Sequence, residues 1–256
     1  MIELKKAGKI PQVTHIIYFT DIDPPEYDEI EAQTALNLTL VSYESIVKED
    51  TKGEEVKFDE VTRDTVYTLS YTSGTTGLPK GVMITHGNYA SNIGAMTQFD
   101  SEFTVSDQDV YLSYLPLAHV IERMLLLSAL SYKWLFGFYQ GDVLKLKDDL
   151  AVLRPTIFAS VPRLYNKFYD AMQQKISEVT GFKRGLLDSG VNAKLQNLAT
   201  TGKVTHGFYD FCIFKKFREV LGGRVRVMIT GSAPISKEVL AFLKVAFCCQ
   251  IHEGYG

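Results

Sequence analysis

Short apolar runs and longer amphipathic stretches follow one another along most of the chain, and this pattern predicts its secondary structure. Apolar runs bounded by turn residues are typical of strands. They predict strands at residues 13–20, 38–41, 65–71, 81–85, 111–117, 134–139, 156–161, 224–230 and 249–252. The first of these runs is expected to be a buried parallel strand.

Stretches with helical spacing lie between several of these strands. They predict helices at residues 43–47, 88–99, 120–132, 148–153, from 162 onwards, 180–205, 206–221 and after 236. Ser42, Asn88 and Ser236 are the predicted N-caps. Because strands and helices alternate, we expect an α/β fold with parallel sheet layers flanked by helices.

Two helical stretches are expected to pack into the core. In the helix from Pro162, one face carries Leu164, Phe168, Met172 and Ile176. The stretch at 206–221 reads H-G-F-Y-D-F-C-I-F-K-K-F-R-E-V-L and is apolar around most of its circumference. Such a helix is either buried or in contact with a partner or a membrane, and burial is the expectation here.

Composition and charge describe an ordinary globular chain. Of its 256 residues, 46% are hydrophobic and 22% charged, which is enough to bury a sizeable core. A net charge of -3 gives no reason to expect a nucleic acid partner. Cys212, Cys248 and Cys249 suggest neither a disulfide framework nor a metal-binding pair, so a reducing, intracellular compartment fits best. With neither a long apolar run nor a signal peptide, this chain is expected to be soluble.

A polar loop between two predicted strands contains the clearest candidate chemistry. Residues 71–81 read Y-T-S-G-T-T-G-L-P-K-G. Hydroxyls, flexible glycines and one cation suit a polyphosphate, and they are supplied by Thr72, Ser73, Gly74, Thr75, Thr76, Gly77 and Lys80. A solvated linker would be the ordinary interpretation of a Gly/Ser/Thr run. The ordered motif closed by Pro-Lys-Gly makes that alternative the weaker one.

The loop does not follow the Walker A template. That template needs a lysine directly after its last glycine and a helix after the lysine. Here Gly77 is followed by Leu78 and Pro79, and a predicted strand follows Lys80. A phosphate-loop kinase or GTPase is therefore disfavoured. Backbone N–H groups of a strand-to-strand turn would take the place of a helix dipole in binding phosphate.

Several sequence blocks together resemble the adenylate-forming enzymes and, within them, the long-chain fatty acid CoA ligases. Besides the loop, the blocks are M-I-T-H-G-N at 83–88, Y-L-S-Y-L-P-L-A-H-V-I-E-R at 111–123, G-F-Y-Q-G-D at 137–142, R-P-T-I-F-A-S-V-P-R-L-Y-N-K at 154–167, G-S-A-P-I-S at 231–236 and E-G-Y-G at 253–256. They keep the family's order from about residue 65 to the end. Residues 1–64 match only loosely.

The resemblance implies a fold, an activity and a set of partners. Residues 1–256 would form a truncated part of the large N-terminal AMP-binding domain, without the C-terminal lid domain. The parent enzyme would use ATP and Mg²⁺ to convert a long-chain fatty acid into an acyl adenylate, and would then transfer the acyl group to coenzyme A. The alternatives are a non-catalytic nucleotide- or lipid-binding member of the fold, or another carboxylate-adenylating ligase.

The resemblance also implies roles for individual residues. Residues 72–80 would hold the β and γ phosphates, with Lys80 and His119 as the catalytic pair and His119 beside the acyl carboxylate. One side of the adenine pocket would be Gly231, Ser232, Ala233 and Pro234, and the other Glu253, Gly254, Tyr255 and Gly256. Without the resemblance, a lone histidine near apolar residues is usually a satisfied core residue.

Other side chains near these blocks have a structural interpretation as well as a functional one. Glu122 and Arg123 are expected to form a local ion pair. Candidates to line an acyl tunnel, or else plain packing residues, are Trp134, Phe136, Phe138 and Tyr165.

The resemblance finally implies a cellular location for the parent and a lack of activity for this chain alone. The parent is expected to associate with a membrane and face the cytosol, for example on the endoplasmic reticulum. In the family, the residues after the final glycine block include a carboxylate that holds Mg²⁺. Because this chain stops at Gly256, we expect a folded but inactive fragment.

Overall fold

A computed structural model describes residues 1–19, 35–49, 57–72, 79–96 and 105–254 of the chain. The chain divides into two compact units, Met1–Glu60 and Val61–Gly256. Within the described residues, no helix combines the length and the apolar character that a bilayer crossing requires. Two charged stretches, residues 21–31 and 48–60, have the composition of solvated loops and fall largely outside these residues.

The N-terminal unit is built around a pair of parallel strands. It contains helix α1 (Ile2–Lys6), strand β1 (His15–Tyr18), strand β2 (Thr39–Ser42) and helix α2 (Tyr43–Lys48). Leu38 and Leu40 form its small core. The parallel pairing agrees with the prediction, but the predicted burial of the first strand is wrong. Ile17 is 55% exposed because the second face of this two-stranded sheet is uncovered within the unit.

The second unit begins with an antiparallel hairpin, β3 (Val66–Thr72) and β4 (Lys80–Thr85). The predicted position of the polar loop between two strands is thus confirmed. Helix α3 (His86–Ala95) follows directly. Its N-cap is Thr85 and not the predicted Asn88, because Asn88 occupies the third helical position and completes a capping box. The Thr85 hydroxyl accepts from the Asn88 N–H, and the Asn88 side chain accepts from the Thr85 N–H.

A five-stranded parallel sheet forms the centre of this unit. Its strands are β5 (Val110–Ser113), β6 (Leu135–Phe138), β7 (Ile157–Ser160), β8 (Val227–Gly231) and β9 (Gln250–Gly254). They lie in the order β6-β5-β7-β8-β9. The predicted α/β class is confirmed. Strand β5 is shorter than predicted, since regular pairing stops at Ser113 before the turn that contains Pro116.

Helices connect the strands. They are α4 (Val120–Tyr132), α5 (Leu146–Leu153), α6 (Pro162–Ser177), α7 (Gly181–Thr201), α8 (Gly207–Tyr209), α9 (Lys215–Glu219) and α10 (Lys237–Phe247). A 3-10 turn, Val143–Lys145, precedes α5, and a π-turn, Asp210–Phe214, joins α8 to α9. The Ser236 hydroxyl accepts from the Val239 N–H, as expected of the cap of α10.

Gly222 ends the helical stretch after α9 at a close contact between two helices. A Cβ at Gly222 would lie 2.5 Å from the Leu150 carbonyl oxygen at the end of α5, and φ of Gly222 is +81°. At the neighbouring Gly223, φ is +78° and a Cβ would meet nothing within 4 Å. Close approach therefore requires glycine at the first position, and backbone conformation alone favours it at the second.

The core has two parts, one on each face of the sheet. Alternate strand residues divide between them, with Leu112, Phe158 and Met228 in one and Tyr111, Ile157 and Val227 in the other. Met172 and Ile176 are buried, as the stripe on α6 predicted. The candidate tunnel residues do not share a cavity among the described residues, since Trp134 and Tyr165 are buried in opposite core layers and Phe138 is 70% exposed.

The stretch at 206–221 departs from its prediction. It is not one uniform α-helix, because the π-turn interrupts it, and it is not fully buried. Phe214 lies in the core, whereas Phe208 and Phe211 are 58% and 78% exposed.

Candidate functional site

The candidate site lies at the carboxyl edge of the five-stranded sheet, where ligands collect in open α/β folds. Strand β5 leads through a turn to His119, strand β8 ends at Gly231, and strand β9 ends at Gly254. Strands β8 and β9 are in register, with Gly231 opposite Gly254. The sequence blocks at 231–236 and 253–256 therefore begin side by side.

His119 connects the turn after β5 with the end of β8. It occupies the N-cap position of α4, and its backbone N–H donates to the Pro116 carbonyl at 2.8 Å. Its Nε2 lies 3.1 Å from the Ser232 hydroxyl, within hydrogen-bond distance. The Nδ1 atom is buried and has no hydrogen-bond partner among the described residues. A histidine with one ring nitrogen unsatisfied differs from the satisfied core histidine that general frequencies favour.

The turn that follows β8 is both strained and narrow. Ser232 has φ +73°, in the left-handed region that residues other than glycine seldom adopt. A Cβ at Gly231 would lie 3.0 Å from the Gly254 carbonyl oxygen. Gly231 itself is buried, and the same Cβ would meet the Ile121 side chain at 3.0 Å, whereas Gly254 is exposed. The backbone at Gly254 is therefore open, and a flat ring could lie against it. Ala233, Pro234 and Glu253 are exposed beside it.

Glu122, in the first turn of α4, is fully buried. Its carboxylate accepts hydrogen bonds from the Tyr111 hydroxyl at 2.5 Å and from the Ser113 hydroxyl at 2.6 Å. Burial raises the pKa of Glu122, and these two hydrogen bonds and the nearby His119 partly oppose that rise. The carboxylate fixes the start of α4 on strand β5, and with it the position of His119.

The expected local pair between Glu122 and Arg123 is wrong, because the two side chains point to different elements. The Arg123 guanidinium donates to the Thr68 hydroxyl on β3 at 2.8 Å. Further along α4, the Tyr132 hydroxyl donates to the Ile93 carbonyl on α3 at 2.7 Å. The hairpin that carries the polar loop is thus attached to the helix that His119 begins.

The structure describes only the two ends of the polar loop. Lys80 is the first residue of β4 and pairs with Thr72 across the hairpin. The Lys80 side chain is exposed and makes no hydrogen bond or ion pair with the part of the chain that the structure describes. Nor does any contact within that part join Lys80 to His119. The predicted ligand-binding residues that lie outside it are Ser73, Gly74, Thr75, Thr76, Gly77, Tyr255 and Gly256.

Sequence reasoning missed three features of this site. It assigned Ser232 to a nucleotide pocket without its contact to His119, and it did not foresee the acceptor role of Glu122 or the tie formed by Arg123. One signal was available, because Tyr111 and Ser113 are two apart on a strand and so present their hydroxyls on one face. Within the described residues, no group of three or more His, Cys, Asp or Glu side chains could hold a metal ion.

Comparison with protein families and with curated proteins agrees with the sequence blocks. Residues 2–256 match the family described as AMP-binding enzyme. Long chain acyl-CoA synthetase 7, peroxisomal, from Arabidopsis thaliana is 44% identical over 219 residues, which is 86% of this chain and 31% of the relative. Fatty acyl-CoA synthetase B from Dictyostelium discoideum is 38% identical over 100% of this chain and 37% of the relative. The chain thus spans about a third of the length of these relatives.

Solved structures support the fold. The A-PCP didomain of a carboxylic acid reductase from Segniliparus rugosus, in complex with AMP, has a TM-score of 0.67 at 23% identity. That match covers 100% of this chain and 35% of the didomain chain. O-succinylbenzoate Coenzyme A Synthetase from Bacillus subtilis, in complex with ATP and magnesium ion, has a TM-score of 0.55 at 16% identity, covering 94% of this chain and 39% of the other. At these identities the likeness concerns the fold alone.

Proposed function

Since the chain belongs to the AMP-binding enzyme family, we propose that its protein activates a long-chain fatty acid with ATP and transfers the acyl group to coenzyme A. The relatives named as long-chain acyl-CoA synthetases, at 34% to 45% identity, support this substrate class. The observation that carries the proposal is the contact between His119 and Ser232. It joins the block that resembles an acyl site to the block that resembles an adenine site.

The proposed reaction has two steps. First, a carboxylate oxygen of the fatty acid attacks the α-phosphorus of ATP, the bond from that phosphorus to the bridging oxygen breaks, and pyrophosphate leaves. Second, the thiol sulfur of coenzyme A attacks the acyl carbon and AMP leaves, with the thiol proton passing to solvent or a base. Two anions must be held together in the first step, so the protein's main tasks are positioning and charge stabilisation.

The described residues suit these tasks. The Lys80 side chain has no hydrogen-bond or ion-pair partner within the described part of the chain and would bind the leaving phosphates with residues 72–77. The exposed backbone of Gly254 would lie against adenine, and Gly231, Ser232, Ala233 and Pro234 would border it. His119 would bind the fatty acid carboxylate, which would satisfy its unpaired ring nitrogen.

Mg²⁺ and coenzyme A are proposed for the whole protein. Mg²⁺ bound to ATP supplies charge neutralisation on the phosphates. Because the described residues form no cluster of three metal-ligating side chains, the ion would be held mainly by the phosphates and by residues outside the described ranges. We further propose that residues 1–256 form part of the N-terminal adenylation domain, which agrees with their covering about a third of the relatives.

The location is a separate proposal. Two relatives from Arabidopsis thaliana are named peroxisomal. An intracellular site agrees with those names, while the endoplasmic reticulum stays a prediction from the resemblance.

A pyrophosphate exchange assay tests the proposal. The full-length protein that contains this chain should exchange pyrophosphate into ATP only when a long-chain fatty acid is present. His119→Ala should lower exchange on the order of a hundredfold, mainly through the dependence on fatty acid. His15→Ala, an exposed histidine of the N-terminal unit, is the matched control and should match the parent.

A second variant separates the two halves of the site. Lys80→Ala should weaken the use of ATP while leaving the free energy of unfolding within about 0.5 kcal/mol of the parent, since Lys80 is an exposed residue of a hairpin. Exchange without fatty acid, or normal fatty acid use by His119→Ala, would refute the assignment. Equal rates for Lys80→Ala and parent at limiting ATP would refute the role of Lys80.

A further inference from the structure

The helical segment 207–219, formed by α8, the π-turn and α9, has two very different faces. Its inner face packs on the core through the buried Phe214 and the partly buried Ile213 and Phe217. Its outer face is the set of exposed residues Phe208, Phe211, Cys212, Lys215 and Lys216, which we name the outer stripe. Two phenylalanines are thus followed by two lysines on one exposed surface.

Phe208 and Phe211 differ from the other exposed phenylalanines of the described residues in being exposed together on one helical segment. Phe208 is 58% exposed and Phe211 is 78% exposed. They are three positions apart, so they neighbour each other on the helix surface. Adjacent exposed aromatic rings rimmed by charge mark a surface that contacts an apolar medium.

A cavity of about 630 Å³ adjoins the outer stripe. Phe211 and Lys215 belong to both, and the cavity also contains Arg154 and Arg218. The Nε atom of Arg218 is buried without a hydrogen-bond partner among the described residues. Guanidinium groups bind phosphate well because they present several N–H donors in a fixed plane.

The charge of this cavity favours an anion. Its cationic side chains are Arg154, Lys215 and Arg218, and its acidic ones are Asp210 and Glu219. The Asp210 carboxylate is already paired with Lys194 at 2.5 Å, and Lys194 is fully buried. Glu219 alone therefore opposes the three cations within the cavity, and Lys216 adds a fourth cation on the adjoining stripe.

We propose that this surface docks the protein on a membrane that contains anionic phospholipid. Phe208 and Phe211 enter the boundary between headgroups and acyl chains, while the lysines contact the headgroups and the arginines of the cavity receive one phosphate. Exposed aromatic residues beside basic ones are typical of helices that lie in the membrane interface.

The position of the surface in the fold agrees with such a role. Arg154 comes shortly before β7, and the glycines that follow α9 come shortly before β8. The docking surface is therefore at the amino edge of the sheet, opposite the edge where His119 meets Ser232. A membrane bound there leaves the candidate site open.

Vesicle sedimentation of the 256-residue chain tests the proposal. Vesicles of phosphatidylcholine and phosphatidylglycerol in equal amounts should bind the chain, and vesicles of phosphatidylcholine alone should bind it much less. The double variant F208S/F211S should lower the partition coefficient on the order of tenfold. The double variant K215Q/K216Q should lower it roughly fivefold for each lysine at low salt.

Matched controls come from other exposed positions of the same chain. Leu144 and Phe182 are 92% and 86% exposed, so L144S/F182S removes comparable apolar surface elsewhere. K167Q/K175Q removes two exposed charges from α6. Both control variants should bind vesicles as the parent does, and circular dichroism should show that every variant keeps the parental helix content.

Two readouts report on the surface directly. Cys212 lies on the outer stripe and is exposed, so anionic vesicles should slow its reaction with a water-soluble thiol reagent. The chain has one tryptophan, Trp134, which is 4% exposed, so F211W adds a reporter whose emission should shift to the blue with vesicles. Binding that is equal for F208S/F211S and the parent, unprotected Cys212, or retention of inorganic phosphate without any vesicle binding would each overturn the proposal. Capture of a protein partner in place of vesicles would do the same.

Discussion

Two clusters of polar groups at opposite edges of the five-stranded sheet are satisfied to different degrees. At the amino edge, the residues directly before β5, β7 and β8 are Asp109, Thr156 and Arg226. The Thr156 hydroxyl donates to Asp109 at 2.6 Å, and the Arg226 guanidinium binds both Asp109 carboxylate oxygens, at 3.0 and 2.5 Å. Asp109 is 1% exposed and thoroughly satisfied.

At the carboxyl edge, buried polar atoms lack partners among the described residues. These atoms are Nδ1 of His119 and the hydroxyl oxygen of Thr230. Ser232, whose backbone is strained, lies at the same edge. Unsatisfied and strained groups cost stability, and proteins retain them mostly where a ligand uses them. The cluster around Asp109 therefore holds the sheet together, while the groups around His119 give up stability for a site.

The largest expected effect is at the amino edge. Asp109→Ala should lower the free energy of unfolding by about 3 kcal/mol, because it leaves Arg226 and Thr156 without their shared acceptor. Urea denaturation followed by circular dichroism measures this. Asp170→Ala, an exposed aspartate on α6, should change stability by less than about 0.5 kcal/mol. A loss as small as that of the control would mean that the network does not stabilise the sheet.

The same substitution at both edges sharpens the comparison. Thr156→Val should destabilise the fold by about 1 to 2 kcal/mol, since the hydroxyl also accepts from the Val110 N–H at 2.9 Å. Thr230→Val should stabilise it by about 1 kcal/mol, because the hydroxyl it removes is buried and unpaired within the described residues. Denaturation midpoints of the two variants give the signs. Destabilisation by Thr230→Val would show that its hydroxyl has a structural partner.

Variants of Ser232 distinguish the effect of its backbone strain from the effect of its hydrogen bond to His119. Ser232→Gly should stabilise the fold by about 1 kcal/mol, because glycine adopts the left-handed conformation freely. Ser232→Ala retains the strain and should leave stability near the parental value. Both remove the hydroxyl beside His119, so both should lower fatty-acid-dependent pyrophosphate exchange in the full-length protein. If Ser232→Ala kept normal exchange, the hydrogen bond to His119 would have no functional part.

The smallest effect concerns pH. Burial raises the pKa of Glu122 above its ordinary value of 4.5, so the folded state binds a proton more tightly than the unfolded state. The stability that this proton provides is complete below the unfolded pKa and is lost as the pH rises through the folded pKa. Glu122→Gln removes this loss. The stability advantage of the parent over Glu122→Gln should therefore shrink as the pH rises above the ordinary carboxyl value of 4.5, and a constant difference would contradict the raised pKa.

The local pattern of apolar and polar residues predicted most of the secondary structure. It could not predict contacts between residues that are far apart in the sequence. The bounds of α4 and the hairpin around the polar loop follow from periodicity and turn residues close in sequence. Asp109 and Arg226 are 117 residues apart, and His119 and Ser232 are 113 apart, so no local pattern joins them. The importance of His119 came from a family resemblance. In segment 207–219, hydrophobicity around the whole circumference suggested burial and could not show that a π-turn would leave one face exposed.

The contact at Gly222 also determines how sequence variation should be interpreted. At that position every other amino acid would place an atom against the Leu150 backbone, so related chains that keep the helix contact should retain glycine. Gly223 shares the left-handed backbone but has open space around it, so asparagine or aspartate could replace it at modest cost. Gly223 therefore tolerates substitution better than Gly222 does. A related chain that has lost the glycine at position 222 should also have its two helices further apart.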